Sequence, residues 1–318
     1  MAKLISIGEL IIDFSSIGNK SLKDTEKFIK NAGGAPANVC AQVCKLKENA
    51  TYLSMVSDDG FGDFLIESLT KVGINTNYIK KSKKYDTSLA FVSIKENGER
   101  EFCFFRKNAA DLHFTPNDFN NVKFDSDDIF EFGSVALNSL DARNTHNHLI
   151  KQAIDHNLLV AFDPNIRLNL WEDIDELKKY IKEYLNYVDI LKISDDELEF
   201  ITSIKDEKKA INYLFSFGIK LILLTKGNKG AKLYLKNKKT YDHSGFKVNS
   251  IDTTGAGDSF FGGFLSCLLK YKINKNSLLD ESIPYDKFLA FACKCGAYTT
   301  TGYGAISSMK GIDELGEI

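Results

Sequence analysis

The stretch Leu158-Leu159-Val160-Ala161-Phe162-Asp163 is apolar at five consecutive positions before it meets a carboxylate. A strand with water on one face alternates apolar and polar residues, so a short run apolar on both faces reads as a strand buried between two layers. Outward from it, similar strand-like runs recur at Lys3 to Gly8, Thr51 to Val56, Asp128 to Gly133, Asp189 to Ser194 and Lys220 to Thr225. Segments of helical character between them predict helices over about 37–46, 62–72, 142–156, 174–186 and 206–217. The alternation predicts an α/β protein with a central, mostly parallel sheet flanked by helices.

One region breaks the alternation. Ser88 to Lys95 and Glu101 to Arg106 both read as strands, joined by Glu96-Asn97-Gly98-Glu99, whose Asn-Gly pair is a strong hairpin signal. The second arm carries Phe102, Cys103, Phe104 and Phe105, so both of its faces are apolar and one needs cover. Either the hairpin is an antiparallel edge of the main sheet, or it is a lid over a site or a dimer contact. The basic run Lys80-Lys81-Ser82-Lys83-Lys84 reads as a solvated loop.

The 318 residues include 41 basic and 43 acidic side chains, with 43% hydrophobic and 26% charged residues, which excludes a disordered or fibrous chain. A formal net charge of −2 gives no global attraction to nucleic acid or anionic membrane. No stretch approaches the roughly 20 apolar residues of a membrane span. The start, Met1 to Gly8 followed by Glu9, lacks the apolar middle of a signal peptide, and a cytoplasmic protein is expected. Cysteines 40, 44, 103, 267, 293 and 295 lack disulfide-framework spacing and read as reduced thiols. No histidine falls at ligand spacing beside Cys40 and Cys44 or Cys293 and Cys295, so these read as small core residues rather than zinc ligands. His146 and His148 are expected on a solvated helix face, and Trp171 as a packing anchor.

The chemistry concentrates in Ile251-Asp252-Thr253-Thr254-Gly255-Ala256-Gly257-Asp258-Ser259-Phe260-Phe261-Gly262-Gly263-Phe264-Leu265, a polar glycine turn that runs into an apolar helix. Gly255 and Gly257 let backbone approach a ligand, and the unpaired amides of a helix start favour phosphate. Asp258 beside a phosphate is repulsive unless it is there to accept a proton from an attacking hydroxyl, and its helix-start position should keep it ionised. The plain alternative makes Asp258 a helix cap and the glycines turn residues. Gly255-Ala256-Gly257 has no glycine at 260, and no Gly-x-x-x-x-Gly-Lys-Ser/Thr occurs, so the dinucleotide and Walker fingerprints are both missing.

A second cluster, Asn31-Ala32-Gly33-Gly34-Ala35-Pro36-Ala37-Asn38, follows a strand end that carries Glu9 and Asp13. Carboxylate and amide groups beside tight glycines form a set able to orient a polyol, or simply a helix start with Pro36 in its first turn.

Together these segments resemble the ribokinase-like, or PfkB, carbohydrate kinases, and within them the bacterial fructokinase type. The resemblance spans essentially the whole chain. It rests on Gly8-Glu9 with Asp13, on Gly33-Gly34-Ala35-Pro36-Ala37-Asn38, and on Asp252-Thr253-Thr254-Gly255-Ala256-Gly257-Asp258. Further matches are Phe105-Arg106 with Ala110-Asp111, Asp163-Pro164-Asn165-Ile166-Arg167, Lys192-Ile193-Ser194-Asp195-Asp196-Glu197 and Thr225-Lys226-Gly227-Asn228-Lys229-Gly230.

The resemblance implies a ribokinase-like fold with a small β-sheet lid, and an ATP-dependent kinase acting on a primary hydroxyl, with D-fructose the first expectation. It implies Asp258 as general base and an anion hole from Gly255, Ala256 and Gly257. Asp13, Gly33, Gly34, Asn38, Arg106 and Arg167 would meet sugar or phosphate. Lys192, Thr225, Lys226, Gly227, Gly230, Gly257 and Cys293 would meet the nucleotide, Cys293 standing near the adenine where relatives often carry asparagine. Glu197 would organise Mg2+ through water, with Ser194 in place of the family's asparagine. Asp252, Thr254, Thr299, Gly302, Gly304 and Ser308 would supply oxygens to K+. The implied partners are sugar and ATP, with a homodimer formed through the lid. Two other sugar-kinase specificities share these motifs, for 2-keto-3-deoxygluconate and for aminoimidazole riboside, and a sugar sensor without turnover is the non-enzymatic alternative. Because the motifs run from Asp13 to beyond position 300, the chain reads as one domain, with the lid built from about 14–32 and 86–112.

Overall fold

The computed structural model describes residues 2–18, 20–94 and 100–317. In chain order the body contributes β1 (Lys3–Ile7), and the chain then leaves it through Gly8 to Leu10 for β2 (Ile11–Ser16) and β3 (Phe28–Gly33) of a second sheet. It returns with α1 (Ala35–Lys45), β4 (Asn49–Ser57), α2 (Gly60–Val72) and β5 (Ile79–Ser82). A second excursion supplies β6 (Ser88–Ile94) and β7 (Arg100–Phe105). The body continues with β8 (Ile129–Gly133), α3 (Leu140–Asp155), β9 (Leu159–Asp163), α4 (Ile174–Leu185), β10 (Ile190–Ser194), α5 (Asp195–Thr202) and α6 (Glu207–Phe215). It ends with β11 (Leu221–Thr225), β12 (Ala231–Leu235), β13 (Thr240–His243), α7 (Ala256–Lys270), α8 (Tyr285–Thr299) and α9 (Ile312–Leu315).

The body sheet has the order β13-β12-β11-β10-β9-β8-β1-β4-β5. Its pairs are parallel from β11 to β5, and only β12, which pairs antiparallel with both β11 and β13, runs the other way. The pleat explains why the strands read as apolar on both faces. In β9, Leu159 and Ala161 enter the core beside α1, α7 and α8, whereas Val160 and Phe162 enter the core beside α3, α4 and α6. Each fully buried aliphatic or aromatic side chain removes apolar surface worth about 1.5–3 kcal/mol from water, so both helical layers are held strongly to the sheet. Trp171 is buried in the second core, as its packing role requires.

The small sheet has the order β3-β2-β6-β7, so the hairpin arms belong to a separate sheet and not to an edge of the main one. The Asn97-Gly98 turn lies outside the described residues. Phe14 stacks on Phe91 at 4.8 Å, with Phe28 and Phe105 edge-on to Phe91 at 5.2 and 5.7 Å. Phe102, Phe105, Ile17 and Ile29 are nonetheless left exposed. The first two lysines of the basic run, Lys80 and Lys81, lie in the edge strand β5 rather than a loop.

Candidate active site

The parallel strands β1, β9, β10 and β11 all end at one rim, where open α/β sheets place their ligands. Asp163 ends β9, Ser194 ends β10 and Thr225 ends β11, while the connection after β1 carries Glu9.

The polyol side is built around Asp13, on β2, and the start of α1. A Cβ on Gly33 would lie 2.1 Å from Asp13 Oδ2, so the absence of a side chain there is what lets the carboxylate sit across the two paired strands. Burial pushes the Asp13 carboxyl up to about 7; Arg167 opposes this, and Asp258 and Asp252 add to it. Burial likewise raises Glu9 to about 7 against the Arg106 charge, and Glu9 Oε1 accepts from the Ala35 amide at 2.9 Å at the start of α1. Gly34 is the N-cap residue of α1 and offers no side-chain cap. Arg106 is buried and donates to Val135 O at 3.1 Å and Asp111 Oδ2 at 3.0 Å, which ties the base of the small sheet to the body. Three buried polar atoms in this region, Asn38 Oδ1, Glu9 Oε2 and Arg106 Nε, have no hydrogen-bond partner among the described residues. Unpaired buried polar atoms are costly, and a hydroxyl-rich ligand would satisfy donors and acceptors of this kind.

Asp258 stands in the first turn of α7, and its Oδ2 accepts from Asn38 Nδ2 at 2.8 Å. Gly255 is the N-cap, in the left-handed region at φ 76°, and no side chain caps the helix start. Its conformation and the close approach of Ala305, 2.6 Å from where a Cβ would sit, both require glycine. Burial raises the Asp258 carboxyl, against the pull of Lys192, Asn38 and Arg167, so the helix start alone does not keep it ionised as the sequence suggested. Burial thus makes it more basic than a surface aspartate, with the cations beside it and the Asn38 amide limiting the rise. An aspartate so placed can take a proton from a hydroxyl, and the adjoining amides can hold an anion.

On the other side of the α7 start lies a cleft of about 530 Å3, lined among others by Thr225, Gly227, Gly230, Ala256, Gly257 and Cys293. That volume is in the range of small-molecule sites. Phe246 and Val248, from the segment between β13 and α7, also line it and were not legible as site residues. Burial pushes the Cys293 thiol up to about 12, which leaves it a neutral, weak hydrogen-bonding group. Lys192 is buried below the cleft with its Nζ 2.8 Å from Asp163 Oδ2. Burial works against its charge, and Asp163, Glu197 and Asp258 more than offset this. The Lys226 ammonium turns to Glu207 on α6, where Lys232 and Tyr234 also bind, so the Lys226 side chain is absent from the cleft lining.

Glu197 caps α5 in a box with Ser194 and accepts from the Ile166 amide at 2.8 Å. Both of its oxygens therefore meet backbone amides, and an Mg2+ held through it would be reached by water. Asp252, Thr254, Gly302, Gly304 and Ser308 lie together. Asp252 Oδ1 accepts from Thr254 N and Oγ1 at 3.0 and 2.7 Å, and Oδ2 from Gly304 N at 3.0 Å. Ser308 Oγ lies against the Gly304 carbonyl, and its Cβ is 2.9 Å from where a Cβ on Gly302 would sit. Both oxygens of the Asp252 carboxylate are thus engaged by amides and a hydroxyl, and a K+ here would draw its other oxygens from the carbonyls and hydroxyls of the same segment. Thr299 Oγ1 lies 2.8 Å from Ser259 Oγ and 3.0 Å from Cys295 O, so its hydroxyl serves the contact of α7 with α8.

His146 departs from expectation. It is fully buried in mid-α3, its Nδ1 2.7 Å from Ala142 O, and burial lowers its pKa to about 4. Its place on the apolar stripe of α3, three residues before Leu149 and four before Ile150, was the signal for this. Glu131, on β8, is a buried carboxyl bonded by Ser6 that no motif announced.

A sequence profile described as pfkB family carbohydrate kinase matches residues 1–311. The chain is 38% identical over 308 residues to the probable fructokinase-5 of Arabidopsis thaliana, covering 96% of this chain and 94% of that one. Among solved structures it is similar to fructokinase from Xylella fastidiosa with bound ATP, at 30% identity and a TM-score of 0.88 over 98% of this chain and 96% of that one. It is also similar to a double-mutant fructokinase from Vibrio cholerae in its fructose-, ADP- and potassium-bound form. That pair shows 29% identity and a TM-score of 0.87, covering 99% of this chain and 97% of the other.

Proposed function

The chain belongs to the pfkB family of carbohydrate kinases, and from that premise we propose that it phosphorylates the primary hydroxyl O6 of D-fructose with ATP. The observation that carries this reading is the Asn38–Asp258 pair at the uncapped start of α7, between the polyol pocket and the cleft. Asp13, Asn38 and the Gly33-Gly34 backbone hold the sugar hydroxyls, and Arg167 lends positive charge. Asp258 takes the O6 proton as O6 bonds to the γ-phosphorus and the bond to the β-phosphate oxygen breaks, releasing ADP. The amides of Gly255, Ala256 and Gly257 hold the charge on the transferred group. Glu197 would hold Mg2+ through water, and the bound ion would supply neutralisation of phosphate charge. K+ would be held by oxygens of Asp252, Thr254, Thr299, Gly302, Gly304 and Ser308. Thr225, Gly227, Gly230 and Cys293 border the nucleotide, with Lys192 sitting below and Lys226 turned away to Glu207.

We further propose one domain whose small sheet acts as lid, a homodimer formed through the exposed apolar residues Phe102, Phe105, Ile17 and Ile29, and action in the cytoplasm. No described helix is long and apolar enough to cross a membrane. The test is an ADP-release screen over fructose, keto-deoxygluconate, aminoimidazole riboside, ribose and nucleosides. The expected result is the highest kcat/KM for fructose; a higher value for another acceptor reassigns the substrate, and no sugar-dependent ADP release leaves the sensor reading in its place.

A further inference from the structure

Helix α1 presents Asn38, Gln42 and Lys45 at successive turns of one face. Each reaches a different part of the catalytic end. Asn38 holds Asp258. Gln42, fully buried, accepts from Ser259 Oγ at 2.7 Å through Oε1 and donates from Nε2 to Lys310 O at 3.0 Å. Ser259, the residue after the base, in turn accepts from Thr299 Oγ1 at 2.8 Å. Lys45 Nζ donates to Ile306 O at 2.8 Å and Met309 O at 2.7 Å. A buried amide among apolar neighbours is costly unless both of its ends are bonded, and here both ends bond to segments that build the site.

We propose that this edge of α1 is a positioning device that couples the 302–310 loop to the anion hole, with the Lys45 ammonium acting as a tethered cation on the loop carbonyls. This rests on the kinase reading above. Gln42 and Lys45 are positioning residues, since neither touches the reacting atoms. The Ile306 and Met309 carbonyls that Lys45 gathers belong to the same loop as Gly302, Gly304 and Ser308, so the tethered cation and a bound monovalent ion organise one segment. Removing the first makes the loop depend more on the second. Glu314 and Lys310 are the other charged groups that act on the Lys45 ammonium.

The test compares wild type with Lys45→Met, Lys45→Arg and Gln42→Leu, using Mg-ATP and the sugar that wild type turns over, with KCl exchanged against choline chloride at constant ionic strength. Turnover by Lys45→Met at low potassium should fall roughly tenfold and recover at high potassium, with the KM for sugar changing much less. Lys45→Arg should restore the wild-type curve. A second readout needs no turnover: the potassium-dependent rise in melting temperature with ADP present should be larger for Lys45→Met than for wild type. Identical potassium dependence of Lys45→Met and wild type in both measurements overturns the proposal. Folded Gln42→Leu with wild-type kcat also overturns it. A wild type that phosphorylates no sugar defeats the kinase reading instead, and the melting series still reports on the coupling.

Discussion

Gly33→Ala is the sharpest test of the polyol pocket. The added methyl would sit 2.1 Å from Asp13 Oδ2 and 2.9 Å from Asp13 Cγ. Gly33 ends β3, and its backbone is outside the left-handed region, so the chain tolerates alanine and the conflict falls on the carboxylate. Ordinary oxygen–carbon contact needs about 1 Å more, a displacement of the size that misplaces a reacting group. Hydrogen bonds to a charged group are each worth about 1.5–3 kcal/mol, so losing one to a sugar hydroxyl should raise the KM for sugar about 10- to 100-fold. The assay is coupled ADP release with sugar titrated at saturating ATP, then ATP titrated at saturating sugar. The KM for ATP should stay near wild type, because the cleft beyond Gly257 is untouched, and thermal melting should show a folded protein. A wild-type KM for sugar, or an equal rise for ATP, would refute the placement of Asp13 against the substrate.

Asp258→Asn should lower kcat by about 10²- to 10⁴-fold, the usual span for a positioned base, with sugar affinity by calorimetry near wild type; near-normal turnover removes the base assignment. Burial raises Glu9 and Asp13 both to about 7 from their ordinary values of 4.5 and 3.8. Between those limits the folded state binds more protons than the unfolded one, so their contribution to stability falls as pH rises through the window. The ligand-free protein should therefore melt lower at about pH 8 than at about pH 6, with Asp13→Asn flattening the difference; a higher melting temperature at the alkaline end contradicts the burial of these groups. The kcat/KM for sugar should climb through about 7 as Asp13 ionises. Cys293→Asn should raise the preference for ATP over GTP about 2- to 10-fold, one neutral hydrogen bond's worth, and an unchanged ratio places the thiol away from the base edge.

The main sheet was legible because burial on both faces leaves no polar alternation in a strand such as Leu159–Asp163, and no other pattern explains so many short apolar runs. The glycine turn at the start of α7 was legible because Gly255, Gly257 and Asp258 are adjacent in the chain, so their geometry is local. What the sequence hid is contact between distant segments. Ser259 meets Gln42 across 217 positions, and nothing near either residue announces the partner. The i, i+4 spacing of Asn38 and Gln42 was a clue, but an amide on a helix reads first as solvated. His146 misled for the same reason: its polar neighbours Asn144, Asn147 and His148 masked its place on the apolar stripe. Phe246 and Val248 lie in a segment without regular structure, where no periodicity marks which side chains turn inward.

The chain passes between the body and the small sheet four times: after β1, before α1, before β6 and after β7. Two of these passages are stitched together, since the amides of Asp86 and Ala110 bond to Asn108 O and Asp86 O at 3.0 and 2.7 Å. The small sheet is therefore joined to the body at four crossings rather than at one end. Asp13 lies on the small sheet and Asp258 on the body, so under the proposed function a sugar held by both would be a strut between the two. An acceptor of the wrong length would then bind yet leave its hydroxyl and the base out of reach of one another.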